Sequence, residues 1–371
     1  MSTEGLRVVI AGGGTGGHLF PGIAVARELL ARCPNAVVTF AGTAQGIEAR
    51  VIPKEGFTLD TIRSSGLKGK SLTALARGVG LLPLGLADAW RIVSNRRPHL
   101  VVGVGGYSSG PVVMAAALRH VPTLLLEQNA VPGLTNRLLA RVVGAAAVTF
   151  ESTAGFFGGK AFVSGNPVRP EFVAVGNERY ARVHEQDAAA EETKVLVFGG
   201  SQGAHAINMA MVEAAPVLAR QPQLRLTHQT GERDVEMVRA AYREAGLTAA
   251  VEPFLYDMSR RIADADLIVC RGGATTLAEI TAAARPAIVI PLPTATDDHQ
   301  RKNAEVLEAN GAADVLLQKE ATGAVLAERI ERLLSDPSRR AEMADAARRL
   351  ARPDAARVIV DRALAMAGTR G

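Results

Sequence analysis

Short apolar runs alternate with stretches of helical periodicity along most of this chain. Strand-like runs lie at 8–11, 37–41, 100–104, 123–127 and 145–150, with amphipathic patterns at 21–31, 111–118 and 135–141 between them. The alternation stops at Gly165-Asn166-Pro167-Val168-Arg169-Pro170, a stiff proline-bearing connector, and an acidic, Ala-rich loop follows at 185–192. It resumes with runs at 194–198, 224–227, 250–254, 267–270 and 287–291, and helical patterns at 204–218, 234–244, 276–284 and 300–310. Beyond about residue 322 the pattern is helical to the end. Strand-helix alternation of this kind predicts parallel sheets covered by helices on both faces. The expected fold class is therefore α/β, with two doubly wound, Rossmann-like domains facing a cleft. Their expected bounds are 1–166 and 167–351, with the terminal helix 352–371 packing back on the first.

Two glycine-rich turns stand where a strand pattern meets a helix pattern: Gly12-Gly13-Gly14-Thr15-Gly16-Gly17-His18 and Gly199-Gly200-Ser201-Gln202-Gly203-Ala204. Such turns present backbone N–H groups and a positive helix end to a diphosphate. Residues 12–17 match the dinucleotide pattern, but a nicotinamide site also needs an acid at the end of the second strand. That strand ends in Gly42-Thr43-Ala44, which argues against it. Gly69-Lys70-Ser71 resembles the end of a Walker A loop, yet Ser64 stands where its first glycine belongs and no strand precedes it. Asp264-Ala265-Asp266 precedes a strand, the wrong end for a ligand in an open sheet, and reads as a solvated turn. His18, at the mouth of a glycine loop, is placed for chemistry more than for packing. No metal ligand set is expected.

At 371 residues, 48% hydrophobic and 21% charged, the chain can core two domains, mainly with Ala, Val and Leu since only 4% is aromatic. Cys33 and Cys270 fit no disulfide or metal spacing, so a reduced, intracellular protein is expected. No uncharged apolar stretch reaches the ~18–20 residues that span a bilayer. A net charge of +5 favours anionic partners, and no nucleic-acid module is present. Leu72, Leu75, Val79, Leu82 and Leu86 form a stripe among Lys68, Lys70, Arg77, Arg91, Arg96 and Arg97, with Trp90 as an interfacial aromatic. An ordinary core-facing helix and a membrane-docking segment both fit it. Gly78, Gly80, Pro83 and Gly85 favour a broken, partly exposed segment.

Arg271-Gly272-Gly273-Ala274-Thr275-Thr276-Leu277-Ala278-Glu279 follows the strand at 267–270 directly, with Asp298-His299-Gln300 and Asn303 after the next one. Glycines there permit a sharp turn into a helix N-terminus, and Glu279 is placed to accept from a ribose diol. With G-G-T-G-G-H-x-x-P-G at 13–22, G-G-Y-S-S-G-P at 105–111, E-Q-N-x-x-x-G-x-x-N at 127–136 and G-N-P-V-R at 165–169, the whole chain resembles the two-domain GT-B glycosyltransferases. Among these it is most similar to the peptidoglycan branch, which moves N-acetylglucosamine from UDP-GlcNAc to a lipid-linked muramoyl-pentapeptide.

The resemblance implies an inverting transfer without cofactor or metal, on the cytoplasmic face of a bacterial membrane, beside other cell-wall synthesis proteins. It implies that Ser201 and Arg169 meet the donor diphosphate and that the Leu255 backbone reads the uracil. Ala274, Thr275, Thr276, Leu277 and Ala278 would line phosphate and ribose, Glu279 the ribose hydroxyls and Gln300 the sugar. Thr15, Gly16, Gly17 and Asn129 would reach the donor from the first domain. Gly105, Gly106, Tyr107 and Glu127 are expected to bind the acceptor. His18 is the candidate general base and Glu127 its competitor. Gly272 stands where a serine is common and His299 where a second glutamine often sits. A GT-B enzyme with another acceptor, and a non-catalytic membrane recruiter, are the alternatives.

Overall fold

The computed structural model describes residues 5–64, 72–183, 192–200 and 202–368, excluding the side chains of 72–82 and 177–183. The chain forms two compact units, Met1–Val168 with Arg352–Gly371, and Arg169–Ala351. Each is a parallel sheet covered on both faces by helices.

The sheet of the first unit contains β1 (Arg7–Gly12), β2 (Val37–Gly42), β3 (Thr58–Thr61), β4 (Leu100–Gly105), β5 (Thr123–Glu127), β6 (Ala145–Val148) and β7 (Ala161–Val163). Their order is β3-β2-β1-β4-β5-β6-β7, every pair parallel. The period of two sorts β1 between faces. Val8 and Ile10 pack with Leu19, Ile23 and Leu29 of the helix Gly16–Arg32, while Val9 and Ala11 pack with Ile92, Val112 and Val113 on the opposite face. With both faces covered, β4 and β5 are buried throughout, which is why they read as unbroken apolar runs. The helix Ala355–Gly368 returns to this unit, placing Ile359, Val360 and Ala363 in the first of these clusters.

The second unit contains β8 (Thr193–Phe198), β9 (Leu224–Gln229), β10 (Ala249–Glu252), β11 (Leu267–Cys270), β12 (Ala287–Val289) and β13 (Ala313–Val315). Their order is β10-β9-β8-β11-β12-β13, again wholly parallel. In each sheet the order reverses beside the strand that carries a glycine loop: between β1 and β4, and between β8 and β11. At such a switch point the following connections diverge to opposite faces and leave a crevice at the carboxyl ends.

The sequence pattern misses the short strands β3, β7 and β13, each at or near a sheet edge, and it runs β6 two residues too long. The expected break near Pro83 is also corrected: Leu72–Arg96 is one continuous helix with Pro83 inside it. Its later half is anchored strongly enough to absorb a missing N–H. Asp88 accepts from the Arg63 backbone N at 3.1 Å and from Arg63 Nε and Nη2, each at 2.8 Å, while Ala89, Ile92 and Val93 are buried. Residues 65–71, and the side chains of the stripe up to Leu82, lie outside the described residues. No helix among the described residues is long and apolar enough to cross a membrane.

A buried polar chain braces the second unit. Asn208 Nδ2 donates to Thr230 O at 2.9 Å and Asp234 Oδ2 at 2.8 Å, so its Oδ1 accepts from His228 Nε2 at 3.1 Å. His228 Nδ1 then accepts from the Tyr242 hydroxyl at 2.7 Å. The partners therefore require the neutral Nε2–H tautomer. Burial lowers the His228 pKa from 6.5 to about 3. The unfolded chain takes up a proton near pH 6.5 that the folded state refuses, so the stabilisation is complete above pH 6.5 and is lost as pH falls toward 3. Each pH unit across that window lowers stability by about 1.4 kcal/mol. Urea unfolding at pH 7 and pH 5 should show this loss, and His228→Gln should flatten the slope; an unchanged slope in the variant would remove His228 as its cause.

Candidate active site

Most candidate residues lie beyond the carboxyl ends of strands, some beside each switch point and others after β5, β10 and β12. In the first unit, the loop after β1 packs against the loop after β4. Gly13 N donates to Gly105 O at 3.4 Å, and a Cβ on Gly106 would collide with Gly13 O. Gly105 has φ +94, and a Cβ there would sit 2.8 Å from the His18 ring, so the absent side chain is what lets the imidazole lie on the β4 loop. Thr15 Oγ1 and His18 Nδ1 are 3.3 Å apart. In the tautomer that donates Nδ1–H to Thr15, Nε2 carries the lone pair of a base. Thr15 and Gly17 are exposed, and Gly16 and His18 half-buried. Tyr107 is exposed, and its carbonyl accepts from Ser64 Oγ at 3.0 Å.

Glu127 ends β5 and is buried. Its Oε1 accepts from Asn129 N at 3.0 Å and Asn129 Nδ2 at 3.3 Å; its Oε2 accepts from Gly133 N at 3.0 Å and Asn136 Nδ2 at 2.8 Å. Burial pushes its pKa up, and these donors pull it back toward the ionised form. The spacing E-Q-N-x-x-x-G-x-x-N thus describes one carboxylate organising the loop that follows it. Both oxygens are engaged there, which weighs against Glu127 as the competing base.

In the second unit, the loop after β8 packs on the loop after β9. Gly200 and Gly203 have φ of +97 and +72, and a Cβ on Gly203 would collide with Thr230 O. Gln229 Nε2 donates to Gly200 O at 2.9 Å. Ser201 lies outside the described residues.

After β11, the chain turns at Gly272-Gly273 into the helix Ala274–Ala282, which contains Thr275, Thr276, Leu277, Ala278 and Glu279. First-turn N–H groups of such a helix favour an anion. Glu279 is buried and accepts at Oε1 from Arg169 Nη2 at 2.9 Å and Nε at 3.2 Å. Burial raises its pKa, and the Arg169 charge counters this. Residues 110 positions apart are thus brought together. Arg169 also lies 4.6 Å from the Phe172 ring centroid.

Leu255 is buried, which fixes its backbone, while Phe254 and Tyr256 beside it are exposed and meet edge-to-face at 4.8 Å. Gln300 is half-buried, and its Oε1 accepts from Leu292 N at 3.0 Å. Two roles escape the sequence reading. Arg271 Nη1 ties β11 to the end of β12 through Ile290 O at 3.0 Å. Glu48, considered below, carries no motif signature.

The glycosyltransferase family 28 N-terminal domain matches residues 8–148, and its C-terminal domain matches residues 194–359. The UDP-N-acetylglucosamine--N-acetylmuramyl-(pentapeptide) pyrophosphoryl-undecaprenol N-acetylglucosamine transferase of Anaeromyxobacter sp. (strain K) is 48% identical over 358 residues, 96% of this chain and 92% of that protein. The protein of the same name from Geobacter sulfurreducens is 48% identical over 362 residues, 97% of this chain and 98% of its own. Among solved structures, Acinetobacter baumannii MurG superposes with a TM-score of 0.79 at 32% identity, covering 97% of this chain and 99% of that one. A UDP-GlcNAc 2-epimerase from Neisseria meningitidis shares the fold at a TM-score of 0.67 and 14% identity, over 98% of this chain and 100% of its own.

The Glu127 network has a direct stability consequence. Glu127→Gln turns an amide NH2 toward donors that need an acceptor, which should lower unfolding free energy by about 2–4 kcal/mol. A urea midpoint equal to that of the unaltered protein would show that the loop is held by other contacts.

Proposed function

The chain belongs to glycosyltransferase family 28, and from that premise we propose that it moves N-acetylglucosamine from UDP-GlcNAc to the 4-hydroxyl of undecaprenyl-diphospho-N-acetylmuramoyl-pentapeptide, with inversion, yielding the lipid-linked disaccharide of peptidoglycan synthesis. The observation that carries this reading is the Arg169–Glu279 pair at the helix Ala274–Ala282. A buried carboxylate with one oxygen turned to a cation, beside a helix N-terminus, suits a ribose diol and a diphosphate presented together.

The reaction is a single displacement. His18 Nε2 takes the proton of the acceptor 4-hydroxyl as its oxygen attacks the anomeric carbon from the face opposite UDP. The bond from that carbon to the diphosphate oxygen breaks, and the electron pair leaves with UDP. N–H groups at Ala274–Thr276 and in the second glycine loop, with Ser201 and Arg169, stabilise the charge gathering on the leaving diphosphate. The Leu255 backbone selects uracil, and Gln300 contacts the sugar. Thr15, Gly16, Gly17 and Asn129 serve the donor from the first unit, while Gly105, Gly106, Tyr107 and the Glu127 loop serve the acceptor.

Turnover of UDP-GlcNAc with a lipid-linked acceptor analogue tests the reading; transfer only to a different acceptor would replace the proposed substrate, and no transfer to any would leave a non-catalytic protein of the same fold. His18→Ala should lower kcat by about 10²–10⁴ while donor affinity holds. Turnover within about tenfold of the unaltered enzyme removes the base role.

Reaching such an acceptor requires peripheral docking at the cytoplasmic leaflet. Leu84, Leu86 and Trp90 are exposed on the helix Leu72–Arg96, and Arg119 lies 4.9 Å from the Trp90 ring centroid. Apolar groups edged by cations suit an anionic interface. Vesicle sedimentation should show stronger binding with anionic lipid than without, weakening as salt rises. Equal pelleting on both vesicle types would eliminate the electrostatic contribution.

A further inference from the structure

Glu48 is buried to 1% exposure yet belongs to no motif and contacts none of the proposed substrate groups. It begins the helix Glu48–Lys54, six residues beyond the end of β2, and reaches back under the first glycine loop. Oε2 accepts from Gly14 N at 2.8 Å; Oε1 accepts from Thr43 N at 2.9 Å and Thr43 Oγ1 at 2.8 Å. Three glycines make room for the carboxylate. A Cβ on Gly13 would sit 2.6 Å from its Cδ, one on Gly42 would sit 2.6 Å from its Cγ, and one on Gly46 would collide with Oε2. Gly13 and Gly14, at φ +149 and +85, hold a backbone conformation that places the Gly14 N–H on this carboxylate.

In a dinucleotide-binding unit, the N–H groups of this turn face a pyrophosphate. Here an internal carboxylate already accepts from one of them. We propose that Glu48 is the resident anion of the first glycine loop: it closes that turn to phosphate and holds the loop that carries Thr15 and His18 in its working position. Burial alone would raise the Glu48 pKa, but the N–H groups of Gly14 and Thr43 and the Thr43 hydroxyl outweigh it and hold the carboxyl below its ordinary value. The anion is therefore present throughout the range in which a histidine base titrates.

Glu48 touches no reacting atom and is a positioning residue; its catalytic effect rests on the transferase reading above. The test uses full-length Glu48→Gln and Glu48→Ala beside the unaltered enzyme, with folding checked by circular dichroism. Glu48→Gln keeps the shape but opposes an amide NH2 to a backbone donor, so kcat should fall about tenfold or more with KM for UDP-GlcNAc within about twofold. Glu48→Ala removes the atoms of one acetate. Sodium acetate should then restore kcat saturably, acetamide and sodium chloride should not, and the unaltered enzyme should respond to none of them.

A second measurement needs no turnover. Acetate should raise the Tm of Glu48→Ala in a concentration-dependent way and leave that of the unaltered enzyme in place. Unaltered kcat in Glu48→Gln, or equal effects of acetate and acetamide on Glu48→Ala, overturns the inference. An unaltered enzyme that transfers no sugar overturns the transferase reading instead, and the acetate-dependent Tm still decides the occupancy of the loop.

Discussion

A parallel sheet leaves backbone groups without ladder partners at the carboxyl edge of its strands, and the groups that answer them shape this protein. Hydrogen bonding along the ladder ends at the carboxyl edge of each strand, and at a switch point the chain leaves two neighbouring strands in opposite directions. The N–H and C=O groups of the turns that follow need partners, because a buried polar group left unpaired costs about 1–3 kcal/mol. Both units face this demand, between β1 and β4 and between β8 and β11. They answer it differently.

In the first unit, acids of the chain itself supply the acceptors. Glu48 binds the turns after β1 and β2, and Glu127 binds the loop after β5. Each places a buried carboxyl at the carboxyl edge, and the Glu48 carboxyl, held below its ordinary pKa by its N–H and hydroxyl donors, opposes a diphosphate at its position. In the second unit, neutral amides tie the corresponding loops: Gln229 holds Gly200, and Asn303 Nδ2 holds Gly272 O at 3.1 Å. Its buried Asp234 accepts from His205 and Asn208. Its acid at the helix Ala274–Ala282, Glu279, already has Arg169 as counter-ion. The second unit can therefore admit a doubly charged diphosphate at lower electrostatic cost. Two glycine loops that look equivalent in sequence have unequal electrostatics, consistent with a donor site on one unit and acid–base chemistry on the other.

The broad architecture was legible because its signals are local. Strands buried on both faces must be apolar throughout, and loops that turn at φ > 0 must be rich in glycine, so β1, β4, β5, β8 and β11 stand out. The strands β3, β7 and β13 do not, because four residues or fewer beside an edge bury too little to impose a pattern. The helix through Pro83 was misread for a related reason: local propensity opposed it, and the distant Arg63–Asp88 pair and the core contacts of Ile92 and Val93 prevailed. Candidate site residues that stand in contiguous motifs could be named from the sequence. Glu48 was not, since the only prompt was the acid missing after β2, and the structure supplies a different acid farther along that serves the loop itself. The joining of Arg169 to Glu279 likewise has no local trace, though both residues were singled out separately.

The departures at Gly272 and His299 follow the same logic. A Cβ at position 272 would collide with the Gln300 carbonyl, so glycine there allows the helix His299–Ala309 to approach the β11 turn. Asn303, fully buried, fastens that approach through Gly272 O. Gln300 Oε1 is meanwhile taken by Leu292 N, which fixes the amide so that its NH2 is the group turned away from that bond. His299 donates from Nδ1 to Thr296 O at 2.6 Å, closing the turn in which Asp297 and Asp298 hold φ values of +55 and +54. Both residues therefore act on one object, the placement of the Gln300 amide. A serine at 272 would have to displace the Gln300 backbone to fit. In this chain Gly272 clears the Gln300 carbonyl and His299 closes the turn before it, so the two act from either side on how the Gln300 amide is presented.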